Sequence, residues 1–269
     1  MITLAKVITI NVQKGGVGKS TTAHELASNL TKMGYKVLVI DLDPQQNLSK
    51  FSGAPLTDYY TIYEVLKGEC DFFDAIHFKD VEDNKVNNYD VCTAHKNLEH
   101  AEKEFGEWSD VYVLTDALKP IKDKYDYIII DTQPKLGILP NMALTAADYV
   151  IIPVEASSAG IQGMGQLFER IDKITHPERG SNKQLKVAGM LLTMYSDRTN
   201  LEKSIRNQLE VTASRMNTKI FETTIREGVA IKEAQAWKTS VLYHAPKSKP
   251  CIDYTSFTKE LLKEIEKNG

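Results

Sequence analysis

The sequence predicts an α/β fold: doubly wound, with a mostly parallel sheet covered by helices on both faces. Three stretches carry that expectation. The first is the apolar run Val7-Ile8-Thr9-Ile10-Asn11-Val12. It leads into Gln13-Lys14-Gly15-Gly16-Val17-Gly18-Lys19-Ser20-Thr21-Thr22 and then into Ala23, Leu26, Ala27, Leu30 and Met33, apolar at helical spacing. The second is Val37-Leu38-Val39-Ile40, ending in Asp41-Leu42-Asp43. The third is Tyr125-Asp126-Tyr127-Ile128-Ile129-Ile130-Asp131-Thr132, an apolar core between charges. Such runs suit strands buried on both faces, and carboxylates at their carboxyl ends lie where open α/β sheets bind ligands.

Strand, glycine-rich turn and helix form the context of a phosphate-binding loop. Glycines let the backbone curl so that successive N–H groups converge on an anion, and the helix adds its positive end. Lys14, Gly15, Gly16, Val17, Gly18, Lys19, Ser20 and Thr21 are therefore the candidate nucleotide-binding residues. Lys19 has the reach for the outer phosphates, and the Ser20 hydroxyl suits Mg2+. The common pattern has glycine at position 13; this chain has Gln13 and adds a second lysine, Lys14. Beside such a loop, Asp41, Asp43 and Asp131 can hold Mg2+ or orient a water, though either of the first two could instead cap a helix.

The remaining elements follow from pattern. Thr61 to Leu66 reads as a short helix with Ile62, Val65 and Leu66 inward, and Tyr89 to Cys92 as a short strand. The charged run from Glu99 to Glu107 reads as a solvated helix face. Val111 to Lys122 has helical spacing at Leu114, Leu118 and Ile121. Asn141 to Asp148 is a helix and Tyr149 to Val154 a strand, with Pro153 near its end, where a missing donor is tolerated. An amphipathic helix is expected from about Ser158 to Ile174, and a strand from Leu185 to Thr193 with Gly189 inside it. A final helix carries Phe257, Leu261, Leu262 and Ile265. Its charges are mixed, with no basic excess, which favours packing on the core over membrane docking. No linker or repeat divides the 269 residues, so one domain spanning 1–269 is expected.

Composition narrows the class. The net charge of −3 is not that of a strongly basic nucleic-acid binder, and no run is apolar enough to span a bilayer. A strand near the N-terminus leaves no room for a signal peptide. Three scattered cysteines, Cys70, Cys92 and Cys251, suit a reducing cytosol. Charge is uneven, however: between Arg198 and Lys249 there are ten lysines and arginines against five glutamates. A basic patch on an acidic body can bind phosphate backbones without reading sequence.

Lys14-Gly-Gly-Val-Gly-Lys19-Ser20 resembles the deviant P-loop of the ParA/MinD/nitrogenase-iron-protein group. Asp41-Leu42-Asp43-Pro44-Gln45-Gln46-Asn47 resembles the Asp-x-Asp-Pro-Gln-Gly-Asn stretch of the ParA/Soj branch, with Gln46 in place of its glycine. Asp131-Thr132-Gln133-Pro134-Lys135-Leu136-Gly137 is similar to that branch's Asp-Thr-Pro-Pro-Ser-Leu-Gly, departing at Gln133 and Lys135. The stretches 193–200 and 221–234 also match. The resemblance spans nearly the whole chain. It implies a cytoplasmic, nucleoid-associated partition ATPase using ATP and Mg2+. Two ATP-bound subunits would form a sandwich homodimer in which Lys14 crosses to the partner's nucleotide. Lys14, Lys19 and Asp43 would then be catalytic, with Ser20, Asp41 and Asp131 around the metal. It also implies nonspecific DNA binding, for which Arg198 and Arg226 are the candidates, and stimulation by a ParB-like centromere-binding protein. A MinD-like positioning ATPase is the alternative, against which the Asp-Pro-Gln stretch and the non-basic tail weigh. An iron–sulfur carrier would need paired interface cysteines.

Overall fold

A computed structural model describes residues 4–57, 59–78, 88–157, 164–195 and 200–268. Its centre is a seven-stranded sheet in the order β3-β4-β2-β5-β1-β6-β7. The strands are β1 (Lys6–Ile10), β2 (Val37–Leu42), β3 (Ile76–His77), β4 (Asp90–Cys92), β5 (Tyr127–Thr132), β6 (Tyr149–Glu155) and β7 (Lys186–Thr193). Every pairing is parallel except that of the two-residue edge strand β3 with β4. The doubly wound expectation therefore holds.

Period-two alternation divides the strand side chains between two cores. Ile128, Ile130, Val150 and Ile152 face one side, where they meet α3 (Ile62–Leu66), α6 (Val113–Leu118), α7 (Ile138–Ala146), α8 (Met164–Thr175) and α9 (Asn200–Arg215). Ile8, Ile10, Ile129 and Ile151 face the other, under α1 (Lys19–Lys32) and α12 (Lys249–Asn268). Ala23, Leu26, Ala27 and Leu30 of α1 and Phe257, Leu261 and Ile265 of α12 sit in this second core, as their spacing predicts. The short helices α2 (Asn47–Ser52), α4 (Phe72–Ala75), α5 (Ala101–Glu104), α10 (Val229–Ala236) and α11 (Val241–His244) fill the connections.

Several local expectations are refined. Thr61 is not the first residue of α3 but its N-cap, in a capping box with Glu64. The charged run is no continuous solvated helix: it splits into a 3-10 turn, Lys96–His100, and α5, with Leu98 and Ala101 buried in the core. Another 3-10 turn, Trp108–Tyr112, precedes α6, which ends at Leu118 rather than Lys122. Helix α7 starts at Ile138, three residues early, because Pro140 falls within its first turn, where no N–H is needed. The first residues of the helix expected at 158–174 lie outside the described residues; α8 covers the rest. Pro153 lies past Ile151, the last residue of β6 in register with β1. Gly189 has φ +153, and a Cβ there would come within 2.9 Å of the Phe221 ring, so only glycine fits.

Helix α1 buries two adjacent titratable residues. Glu25 accepts hydrogen bonds from the Ser240 hydroxyl (2.5 Å) and the Val241 amide (3.0 Å), yet burial pushes its carboxyl up to about 7. His24 Nδ1 lies 2.5 Å from the Tyr89 hydroxyl, and burial pushes its imidazole down to about 4. Folded Glu25 keeps its proton up to about pH 7, whereas the unfolded residue loses it near 4.5. Its contribution is full below 4.5 and is lost as pH rises through 7. His24 acts oppositely: its contribution is present above 6.5 and lost as pH falls toward 4. Between 4.5 and 6.5 the two slopes offset. Glu25→Gln removes one of them. Urea unfolding at pH 6.5 and pH 5 should show the variant losing about 1.4 kcal/mol per pH unit more than wild type on acidification. Parallel losses would mean that Glu25 does not titrate in this window.

Candidate nucleotide site

Parallel pairing puts the carboxyl ends of β1, β2 and β5 side by side, with Ile10 opposite Asp131 and Asp131 opposite Asp41. The loop after β1 thus meets all three aspartates at one sheet edge. Gly16 (φ +77) and Gly18 (φ +83) are left-handed, which a side chain resists, and they turn the loop into α1. No side chain caps α1, and its first turn carries no acidic residue. Its leading amides have no partner within the helix and face the loop's concavity, an arrangement that favours a bound anion. Thr193, at the end of β7, donates to the Val17 carbonyl at 2.9 Å and fixes the loop's outer wall.

Lys19 is buried and donates to the Lys14 carbonyl at 3.0 Å. Burial lowers its ammonium below the usual lysine range, while the charges of Asp131 and Asp43 pull it back up. The loop backbone and the two carboxylates thus hold this cation at the sheet edge.

The three carboxylates are not equivalent. Asp41 is fully buried and used on both oxygens: it accepts from Asp43 N (3.0 Å), Ser49 N (2.8 Å) and Ser49 Oγ (2.7 Å). Burial raises its carboxyl to about 6 against those hydrogen bonds. It therefore anchors α2 as well as facing the site. Asp43 accepts from Gln45 N at 2.9 Å in a tight turn. Asp131 accepts from Thr132 N through Oδ1, whereas Oδ2 is buried without a hydrogen-bond partner. Burial and the neighbouring Asp41 charge push its carboxyl well up, and the Ser20 hydroxyl and Lys19 lower it. An orphaned carboxylate oxygen next to Ser20 fits a divalent cation or a cation-bound water, so Asp131 and Ser20 could hold Mg2+ directly, with Asp41 behind them.

Gln46, the residue at the glycine position of the aspartate stretch, has φ +58. That conformation costs a non-glycine residue about 1 kcal/mol, and the Gln46 amide offsets it by donating to the Ala94 carbonyl at 2.8 Å. Lys14 does not turn into the cradle. Its ammonium pairs with Glu155 and donates to Ser157 Oγ at 3.0 Å. Neither partner is singled out by sequence; the only signal is a carboxylate closing the apolar run of β6.

A family model described as "AAA domain" matches residues 5–187. The sporulation initiation inhibitor protein Soj of Bacillus subtilis is 35% identical over 99% of this chain and 100% of its own length. The chromosome partitioning protein ParA of Myxococcus xanthus is 34% identical over 97% of this chain and 89% of its own.

The chain belongs to the ParA/Soj family.

Among solved structures, a putative plasmid partition protein of Borrelia burgdorferi bound to AMPPNP superposes with a TM-score of 0.76. It is 27% identical and covers 98% of this chain and 100% of its own. A cobyrinic acid a,c-diamide synthase of Mycobacterium smegmatis with ADP and magnesium gives 0.82 at 27% identity, over 99% and 97%. The P-loop fold of this family accounts for the sheet order and for the meeting of residues 13–22, 41–47 and 131.

Arg198 falls outside the described residues. The Arg226 guanidinium is held by Asp253 through Nε (2.9 Å) and Nη2 (2.6 Å), on the wall of an open cleft of roughly 790 Å³ that also includes Arg206 and Lys249. Lys219 pairs with Glu264, and Arg206 with Glu210. The basic excess read from the sequence is thus partly neutralised within the chain.

Asp131→Asn separates holding from stability. Without nucleotide the variant should unfold no earlier than wild type, because it removes a buried, repelled carboxyl. Its Mg2+-dependent gain in nucleotide affinity should fall at least tenfold, about 1.4 kcal/mol. A thermal melt checks the first and calorimetric titration with and without Mg2+ the second; an unchanged Mg2+ effect would move the metal elsewhere. Lys19→Ala should abolish nucleotide binding or its productive use in the same assay.

Proposed function

We propose that this chain is an ATP-dependent DNA partition protein, a single ATPase domain acting in the cytoplasm on the nucleoid. The observation that carries the reading is the uncapped helix α1 facing the orphaned Asp131 oxygen, in a chain whose relatives along nearly its whole length include chromosome partitioning proteins. ATP is the anion this cradle suits. When bound, Mg2+ would neutralise phosphate charge, with Ser20 and Asp131 as the residues that would hold it and Asp41 in support.

The residues divide the work. Amides from Gly15 to Thr21 orient the phosphates. Lys19 neutralises the charge that grows on the transferred group. Asp43, half-tied by its own turn, orients the attacking water. Lys14 leaves Glu155 and reaches the nucleotide of a second copy, so that two ATP molecules are sandwiched in a homodimer. That dimer binds DNA nonspecifically through basic residues of the carboxyl-terminal half, and hydrolysis, slow alone and stimulated by a ParB-like partner, separates the copies. Among the described residues no helix is long and apolar enough to cross a membrane.

DNA affinity measured with ATP, with ADP and without nucleotide tests the reading. Affinity should be highest with ATP and should fall steeply with salt; equal affinity in the three states contradicts it. Asp43→Ala should keep ATP-dependent DNA binding while turnover drops at least a hundredfold, and undiminished turnover would remove Asp43 from the chemistry.

A further inference from the structure

Helix α1 carries a buried polar seam on the face turned to the carboxyl-terminal half. Thr21 Oγ1 accepts from Gln235 Nε2 at 2.9 Å. Thr22 Oγ1 lies 3.3 Å from the Tyr254 hydroxyl. Glu25 receives the Ser240 hydroxyl and the Val241 amide, and Asn29 Oδ1 receives the Thr255 hydroxyl at 2.9 Å. Positions 21, 25 and 29 stand one above another at a spacing of four, so each turn of α1 is bolted to α10, α11 or α12 in succession. Thr22, Glu25 and Asn29 are all buried. Such bonds are directional: a shift of α1 breaks them unless the partner helices follow, whereas an apolar contact would slide.

The partner helices differ in how else they are held. Helix α12 sits in the large core through Tyr254, Phe257 and Leu261. The α10–α11 segment packs instead in a small cluster in which Ala234, Val241 and Leu242 meet Cys251 of α12; of its apolar residues only Ile231 also touches the large core, and Val229 and Trp237 are largely exposed. Its side-chain hydrogen bonds to α1 come through Gln235 and Ser240, beside the Val241 amide.

We propose that this seam transmits nucleotide occupancy at the amino end of α1 to the position of α10 and α11, with Glu25 and Ser240 as its positioning pair. The seam rests on the nucleotide site and, for its consequence, on the DNA reading above. Phosphate bound at Lys19 to Thr21 pulls the first turn of α1. Thr21 and Glu25 carry α10 and α11 along, re-presenting the segment that bears Lys232 and Lys238 in the basic half of the chain.

Hydrogen exchange of residues 229–244, with and without AMPPNP and Mg2+, tests this in the wild-type chain. It should show at least fivefold slower exchange with the analogue. Glu25→Gln and Ser240→Ala should lose most of that change while binding the analogue within about threefold of wild type, and their ratio of DNA affinity with ATP to that with ADP should fall at least tenfold. Exchange in 229–244 that ignores nucleotide in the wild type overturns the proposal, as does a full response in both variants. DNA affinity indifferent to nucleotide in the wild type, beside an exchange response that the variants lose, supports the seam and removes the DNA reading instead.

Discussion

A helix that starts without a cap, at the end of a central strand, is an electrostatic arrangement that protein alone leaves incomplete. The leading amides of α1 converge on a loop shaped by two left-handed glycines. Beside them, one buried lysine stands among carboxylates that repel one another. Most of the surrounding structure serves to hold these groups in place. Thr193 pins the loop from β7, Ser49 occupies Asp41, and strand register sets Asp131 against Ile10 and Asp41. A phosphate group with a divalent cation supplies the charges that this edge lacks.

Lys14 is the cation left out of that arrangement. It lies against Glu155 and Ser157 of its own chain, on the rim rather than in the cradle. An ion pair of this exposure contributes little, roughly 0–1 kcal/mol, so a nearby triphosphate on a second copy can draw the lysine away at small cost. The local structure therefore allows the exchange that a shared-nucleotide dimer requires, and Gln13, where glycine is usual, leaves Lys14 the only added charge at the loop entrance.

The site was legible in sequence because its parts are local. A strand, a glycine-rich turn and a helix lie within residues 7–33, and Asp41 and Asp131 each close an apolar run, so composition and period place them without knowledge of the rest. Residues 50–125 were less legible, since their elements are two to six residues long and several helices start at capping boxes, at Thr61, Asp71 and Glu107, rather than from periodicity. What escaped altogether is long-range pairing. Nothing near Lys14 points to Glu155, nothing near Arg226 to Asp253, and the apolar spacing of α1 conceals the polar stripe at Thr21, Glu25 and Asn29. Those contacts join residues 27 to 226 positions apart, which only the closed fold brings together.

The central claim is that ATP joins two copies through Lys14, and sedimentation velocity with AMPPNP and Mg2+ measures it directly. The account predicts a dimer with the triphosphate analogue, a monomer with ADP, and a monomer for Lys14→Ala even when its nucleotide site is filled. A wild-type chain that stays monomeric with the analogue bound, or a Lys14→Ala chain that dimerises as well as wild type, would contradict it.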